Sequence, residues 1–254
     1  MKILALARDL RRRKARERQG LFVAEGVRAA EELLRSPIGI RGALIGPQQG
    51  DEARRAALLD ALRQRGIVMQ EVVASEFESA SETESPQGVL VIGAVPDRSL
   101  ADLRVSAAEP LRLLVLDGIQ DPGNAGTIIR TAAAFGVLAT ISLPGTVDLW
   151  NAKVVRSAMG AQFHHFCLSC TWDELDTFRH VQPFAIWAAD AAGDSIDGLE
   201  PPARLGLVVG NEGAGLSALS RTRADRLVAL PLSAMVESLN VAVAAGILLY
   251  ELRP

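Results

Sequence analysis

The sequence predicts an α/β fold built on a mostly parallel sheet, and three observations carry that expectation. Short, strongly apolar runs, at residues 111–116 and 205–209, read as strands covered on both faces. Segments of helical periodicity alternate with such runs, as at residues 52–65, where Ala56, Leu58, Leu59 and Leu62 fall on one side. A glycine-rich loop, Gly210-Asn211-Glu212-Gly213-Ala214-Gly215, follows the second run at the edge where open α/β sheets bind ligands.

In chain order, residues 3–18 read as a charged helix and 21–24 as a short strand. A helix at 27–34 stops near Ser36-Pro37. Strands at 43–45, 67–69 and 87–93 alternate with helices at 52–65 and 75–81, which completes a small α/β unit over residues 1–96. Residues 97–108 hold Asp97, Arg98, Asp102, Arg104 and no buried-strand pattern, so they read as a linker. Residues 109–254 restart the alternation. Strands are expected at 111–116, 138–143, 163–168, 184–188, 205–209 and 227–230. Helices are expected at 124–135, 152–159, 172–178, 216–222 and 238–252. The repeated strand–helix order makes this second unit a parallel sheet with helices on both faces.

Composition narrows the function classes. A hydrophobic fraction of 49% over 254 residues supports a packed core rather than a disordered chain. The apolar stretch at 239–250 is too short to span a bilayer. The N-terminus is apolar before it is basic, the reverse of an export signal, and the two cysteines make no disulfide framework. A cytoplasmic protein without membrane contact is expected. Net charge is −3, but residues 8–18 carry seven basic side chains against two acidic ones. Arg11, Arg12, Arg13, Lys14 and Arg16 lie in this cluster, which reads either as a phosphate-binding face or as a solvated helix.

Three constellations could carry chemistry. In the first, the strand at 111–116 feeds Asp117-Gly118-Ile119-Gln120-Asp121-Pro122-Gly123-Asn124, where Asn124 reads as a helix N-cap and Arg130 follows about one and a half turns later. The second is the glycine loop with Glu212. The third runs from Leu230-Pro231-Leu232 to Ser238-Leu239-Asn240, where Ser238 reads as an N-cap and Asn240 as a polar intruder in an apolar helix. Lys153 and Arg156 put two cations on one helix, either solvated or against a phosphate backbone. His164-His165-Phe166-Cys167-Leu168-Ser169-Cys170 has ligand-like spacing, but no second cluster could complete a zinc site, so no metal is expected. Neither a G-x-G-x-x-G nor a G-x-x-x-x-G-K-[ST] fingerprint follows any strand, which disfavours ordinary dinucleotide and P-loop sites.

In order and separation, the three constellations resemble the motifs of the SpoU/TrmH family of RNA 2′-O-ribose methyltransferases. Residues 153–160 resemble the segment that family carries between its first two motifs, and Leu21-Phe22-Val23-Ala24-Glu25-Gly26 and Pro86-Gln87-Gly88 resemble its substrate-binding domain. The resemblance implies a C-terminal domain with a deep trefoil knot, a homodimer, and S-adenosylmethionine as methyl donor. Val209, Gly210, Asn211, Gly213, Leu230, Pro231, Leu232 and Leu239 would bind that cofactor. Arg130, Asn124, Glu212, Ser238 and Asn240 would serve catalysis, and Arg11, Arg12, Arg13, Lys14, Arg16, Lys153 and Arg156 would meet the RNA. Ribosomal RNA of the large subunit (23S) is the expected substrate. Transfer RNA, or a non-catalytic RNA-binding role on the same fold, are the alternatives.

Overall fold

The computed structural model describes residues 2–47, 50–103, 105–106, 108–233 and 235–253. The chain divides into two compact units: residues 1–97 with 150–164, and residues 98–149 with 165–254.

The first unit is built on four strands, β1 (Leu21–Glu25), β2 (Ile40–Ile45), β3 (Met69–Glu71) and β4 (Val89–Ala94), in the order β1-β4-β2-β3. β4 pairs antiparallel with β1 and β2, and β2 pairs parallel with β3. Its helices are α1 (Ile3–Asp9), α2 (Arg13–Gln19), α3 (Val27–Arg35), α4 (Glu52–Gln64) and α5 (Ala74–Ala80). One core gathers Leu6, Leu10, Val23, Leu44, Phe77, Leu90 and Ile92.

The single helix expected at 3–18 is two. Leu10 ends α1, and Arg12 turns extended (φ −92°, ψ 131°) before α2 begins. Leu10 is buried at the break. The carbonyls of Leu10 and Arg11 accept hydrogen bonds from Arg16 Nη1 at 2.8 and 3.0 Å. A buried side chain and a buried guanidinium thus stabilise a break that periodicity alone does not show.

The second unit carries six strands in the order β10-β8-β9-β5-β6-β7, every neighbouring pair parallel. In sequence they are β5 (Leu111–Asp117), β6 (Ala139–Ser142), β7 (Phe166–Ser169), β8 (Ala185–Ser195), β9 (Arg204–Gly210) and β10 (Arg226–Ala229). The helices are α6 (Pro122–Ala134), α7 (Ala152–Ser157, grouped with the first unit), α8 (Trp172–Val181), α9 (Ala218–Arg223) and α10 (Val241–Glu251). Every residue of β5 is buried, Arg112 and Asp117 included, as befits a central parallel strand. Thr171 and Glu174 form a reciprocal capping box that starts α8.

Three boundaries depart from the sequence reading. Within the expected linker, Leu100–Asp102 forms a helical turn, and Leu100 and Leu103 are buried in the core of the second unit. The helix expected at 124–135 starts earlier, with Asp121 as N-cap and Pro122 in the first turn. The helix expected at 238–252 starts later, with Asn240 as N-cap. In the first unit Phe22 meets Trp150 (ring centroids 4.5 Å) and Phe163 (5.7 Å), which ties residues 150–164 to β1.

Arg112 closes the second unit at its far end. It is buried, and its guanidinium donates to the carbonyls of Leu111, Pro202, Ala203 and Leu252. Substituting Arg112→Ala leaves those carbonyls without their shared donor. The expected loss is about 3 kcal/mol, read as a lower urea midpoint for this unit. An unchanged midpoint would show that the latch carries no stability.

Candidate functional site

Asp121 accepts the Asn124 amide N–H at 2.8 Å and so performs the capping expected of Asn124. That releases the Asn124 side chain. Its Nδ2 donates to Glu212 Oε1 at 3.1 Å, and its Oδ1 accepts from Asn240 Nδ2 at 3.0 Å. Asn240 Oδ1 meanwhile caps α10 by accepting the Ala242 and Val243 amides. Three residues, bonded across 88 and 116 positions of sequence, therefore form one chain of hydrogen bonds from the loop after β9, through the start of α6, to the start of α10.

Glu212 is the acceptor at the end of that chain. Besides Asn124 it takes the amides of Asp121 (3.1 Å) and Gln120 (3.2 Å). Desolvation works to raise its pKa. Hydrogen bonds from the Asn124 side chain and from backbone amides outweigh it, and the carboxyl is held below its ordinary value. It is an ionised anchor, not an acid poised to give a proton.

The loop that presents Glu212 is closed on itself. The Asn211 and Gly215 backbones exchange hydrogen bonds at 2.9 and 3.0 Å. Asn211 Oδ1 accepts the Gly213 and Ala214 amides, and its Nδ2 donates to the Gly118 carbonyl at 2.8 Å. Asp117 at the end of β5 accepts the Ser217 amide at 2.7 Å. Gly210 has no substitute here, because a Cβ would stand 2.5 Å from the Gly215 carbonyl carbon. The glycines thus close a hairpin-like loop; no G-x-G-x-x-G turn is made.

A cavity of about 490 Å³ lies beside this loop. Of the residues expected at the cofactor, Val209, Gly210, Asn211, Gly213, Leu230, Leu232 and Leu239 line it, and so do Glu212 and Ser238. Pro231 is exposed and does not line it. Its volume falls in the range that takes a cofactor, and its walls join apolar side chains to loop backbone. Asp190 lines the cavity too; it lies within β8, which runs seven residues past the strand expected at 184–188. Its side chain is 7% exposed and paired with Arg221. The signal available in the sequence was an acidic residue just past an apolar run. A larger groove of about 1190 Å³, between residues 98–106 and α8, contains none of these residues.

Arg130 stands apart. It is exposed on α6 and makes no hydrogen bond or ion pair among the described residues. In the basic cluster, Arg11, Arg12, Arg13 and Lys14 are exposed, whereas Arg16 is 4% exposed and spent on backbone carbonyls. Arg16 therefore leaves the set of phosphate-facing residues. Lys153 is exposed at the start of α7, and Arg156 is half-buried on it. Burial pushes Cys167 and Cys170 up to about 12, so both thiols are protonated and poor nucleophiles.

The depressed Glu212 carboxyl gives a pH signature. A group with a lowered folded pKa contributes stability above its unfolded value, about 4.3, and loses it as pH falls through the folded one. The stability difference between the wild-type chain and Glu212→Gln should shrink on acidification from about pH 5 to about pH 3. A difference constant over that range would show that the carboxylate charge is not engaged.

Comparison with known proteins places these features. The description "SpoU rRNA Methylase family" matches residues 112–250, and "MRM3-like substrate binding domain" matches residues 3–91. The chain is 34% identical to the 23S rRNA (guanosine(2553)-2′-O)-methyltransferase RlmP of Bacillus subtilis, over 97% of this chain and 94% of that one. It is 34% identical to the 23S rRNA (guanosine-2′-O-)-methyltransferase RlmB of Escherichia coli, over 89% and 95% of the two chains. Among solved structures, an AdoMet-bound rRNA methyltransferase from Sinorhizobium meliloti superposes with TM-score 0.85 at 27% identity, covering 98% of this chain and 93% of that one. The SpoU methyltransferase AviRb from Streptomyces viridochromogenes, in complex with AdoMet, does so with TM-score 0.85 at 27% identity, covering 99% and 96%. The chain belongs to the SpoU rRNA methylase family.

Proposed function

We propose that this protein transfers a methyl group from S-adenosylmethionine to a ribose 2′-hydroxyl of ribosomal RNA. One observation carries the reading: the Asn124–Glu212–Asn240 chain of hydrogen bonds beside a cavity floored by residues 209–213 and walled by 228–230 and 237–239. The relatives named above act on 23S rRNA, and the full length of this chain matches theirs.

The cofactor supplies a methyl carbon on a sulfonium, an electrophile that requires neither metal nor covalent enzyme intermediate. The loop backbone at Gly210–Gly213 and the segments around Leu230 and Leu239 hold it, with apolar walls from Val209, Val241 and Leu248. The chain's task is then alignment of a ribose oxygen, and management of its proton. A hydroxyl present in RNA and absent from DNA defines the substrate class. Asn124, half-buried, and Asn240, exposed, position the ribose and its phosphate. Arg130 cannot act as a base, since a guanidinium stays protonated. It binds the adjoining phosphate and stabilises the charge developing on the ribose oxygen. Ser238 lines the cavity beside Leu239. Arg11, Arg12, Arg13, Lys14, Lys153 and Arg156 extend the contact with RNA.

The finer architecture is part of the same proposal. The chain threads a trefoil knot, supported by residues 210–213 and 237–241 facing one cavity. It works as a homodimer in the cytoplasm. Val243, Ile247 and Tyr250 are spaced along one face of α10 and are 52%, 39% and 49% exposed, an apolar stripe suited to a second copy. Among the described residues no helix is long and apolar enough to cross a membrane.

Arg130→Ala should lower methylation of ribosomal RNA by about a hundredfold or more, with affinity for S-adenosylmethionine near that of the wild-type chain. Full turnover by the variant would remove Arg130 from the mechanism. Val243→Glu with Ile247→Glu should convert the dimer to a monomer in sedimentation equilibrium; an unchanged mass would place the interface elsewhere.

A further inference from the structure

A second cavity, of about 320 Å³, lies within the first unit. Gly26, Arg28, Ala29, Thr83, Ser85, Gln87, Arg156 and Met159 line it together with Glu25. Nη1 of Arg156 is buried and has no hydrogen-bond partner among the described residues. A guanidinium N–H in that condition loses its hydration without replacement, a cost that a bound acceptor removes.

The groups facing Arg156 define that acceptor. The nine-residue helix α3 begins here without a side-chain cap. The Val27 amide donates to Gln87 Oε1 at 3.0 Å, and the Ala30 amide to the Gly26 carbonyl at 3.0 Å. The amides of Arg28 and Ala29, between them, have no intrahelical acceptor. Gly26 enters the helix at φ 99°, a left-handed-side value, which leaves the helix start bare of any Cβ. Ser85 brings a hydroxyl and Arg28 a second guanidinium. The carboxylate on the wall, Glu25, is already engaged. Its Oε1 accepts from the Ser81 and Thr83 hydroxyls and its Oε2 from the Glu82 amide. Ala29 and Met159 supply an apolar wall.

We infer that this cavity is a phosphodiester-binding subsite, which seats one backbone phosphate of the RNA between Arg156, Arg28 and the start of α3. The ribose next to it lies on Ala29 and Met159. The inference rests on the RNA-methyltransferase reading and adds a specific anchor well apart in sequence from the three motifs. A helix start and two guanidinium groups suit an anion, and the volume exceeds that of an isolated phosphate.

The test uses the full chain and a ribosomal RNA fragment that the wild-type protein methylates. Arg28→Gln with Arg156→Gln should weaken RNA binding about tenfold at physiological salt and lower the slope of log affinity against log salt by about 0.7, the share of one phosphate. S-adenosylmethionine affinity should stay unchanged, which separates the effect from misfolding. A scan of single methylphosphonate linkages should find one position whose neutralisation weakens the wild-type chain but not the double variant. Equal affinity and equal slope for variant and wild type would overturn the subsite while leaving the methyltransferase reading intact. A wild-type chain that methylates no RNA would overturn both. Saturable binding of adenosine monophosphate that needs Arg28 and Arg156, beside unaltered RNA binding, would assign the cavity to a small phosphate ligand and overturn the RNA assignment.

Discussion

The second unit depends on where one carboxylate finds its partners. Glu212 draws in two backbone amides from the loop after β5 and the side chain of Asn124. Those bonds join the carboxyl ends of adjacent parallel strands, since β9 pairs directly with β5. Through Asn124 they reach Asn240 and the start of α10. Break the carboxylate and the amides lose their acceptor in a loop with little else to hold it; a charge-assisted bond of this kind contributes more than a neutral one.

The same device explains an economy in side-chain roles. Asp121 caps α6 and Asn240 caps α10, each by accepting helix-start amides. Asn124, released from capping, and the amide group of Asn240 then face one another. Helix capping and site construction are therefore one set of hydrogen bonds. The loop's internal closure through Asn211 sets the position of Glu212 before any ligand arrives, which is the preorganisation that alignment chemistry needs.

Arg130 contrasts with this network. It is exposed on α6 and has no hydrogen bond or ion pair among the described residues. A flexible exposed guanidinium suits recognition of a phosphate that is absent until RNA binds, whereas the asparagines and the glutamate are held in place by the protein itself. The buried Arg16 and Arg112 show the other use of the residue: each spends its donors on backbone carbonyls where the chain breaks or ends.

Much of the fold was legible in the sequence, because its central strands are buried and so mostly apolar. The apolar residues of β5 and the glycines after β9 announced a parallel sheet and a loop at its ligand edge. Helix starts were less legible. Asn124 and Ser238 are good N-caps by type, yet Asp121 and Asn240 took the role, since capping depends on which oxygen reaches a free amide in three dimensions. The break at Leu10, the retreat of Arg16 from solvent, and the grouping of residues 150–164 with β1 were likewise decided by tertiary packing. So was the closing of the cavity by Asp190 and Arg221. The sequence by itself determined which segments would be buried and which residue types would stand at the loop edge. Only the tertiary structure decided which of them meet, because a hydrogen bond across 88 or 116 positions is a statement about distance in space that no local pattern encodes.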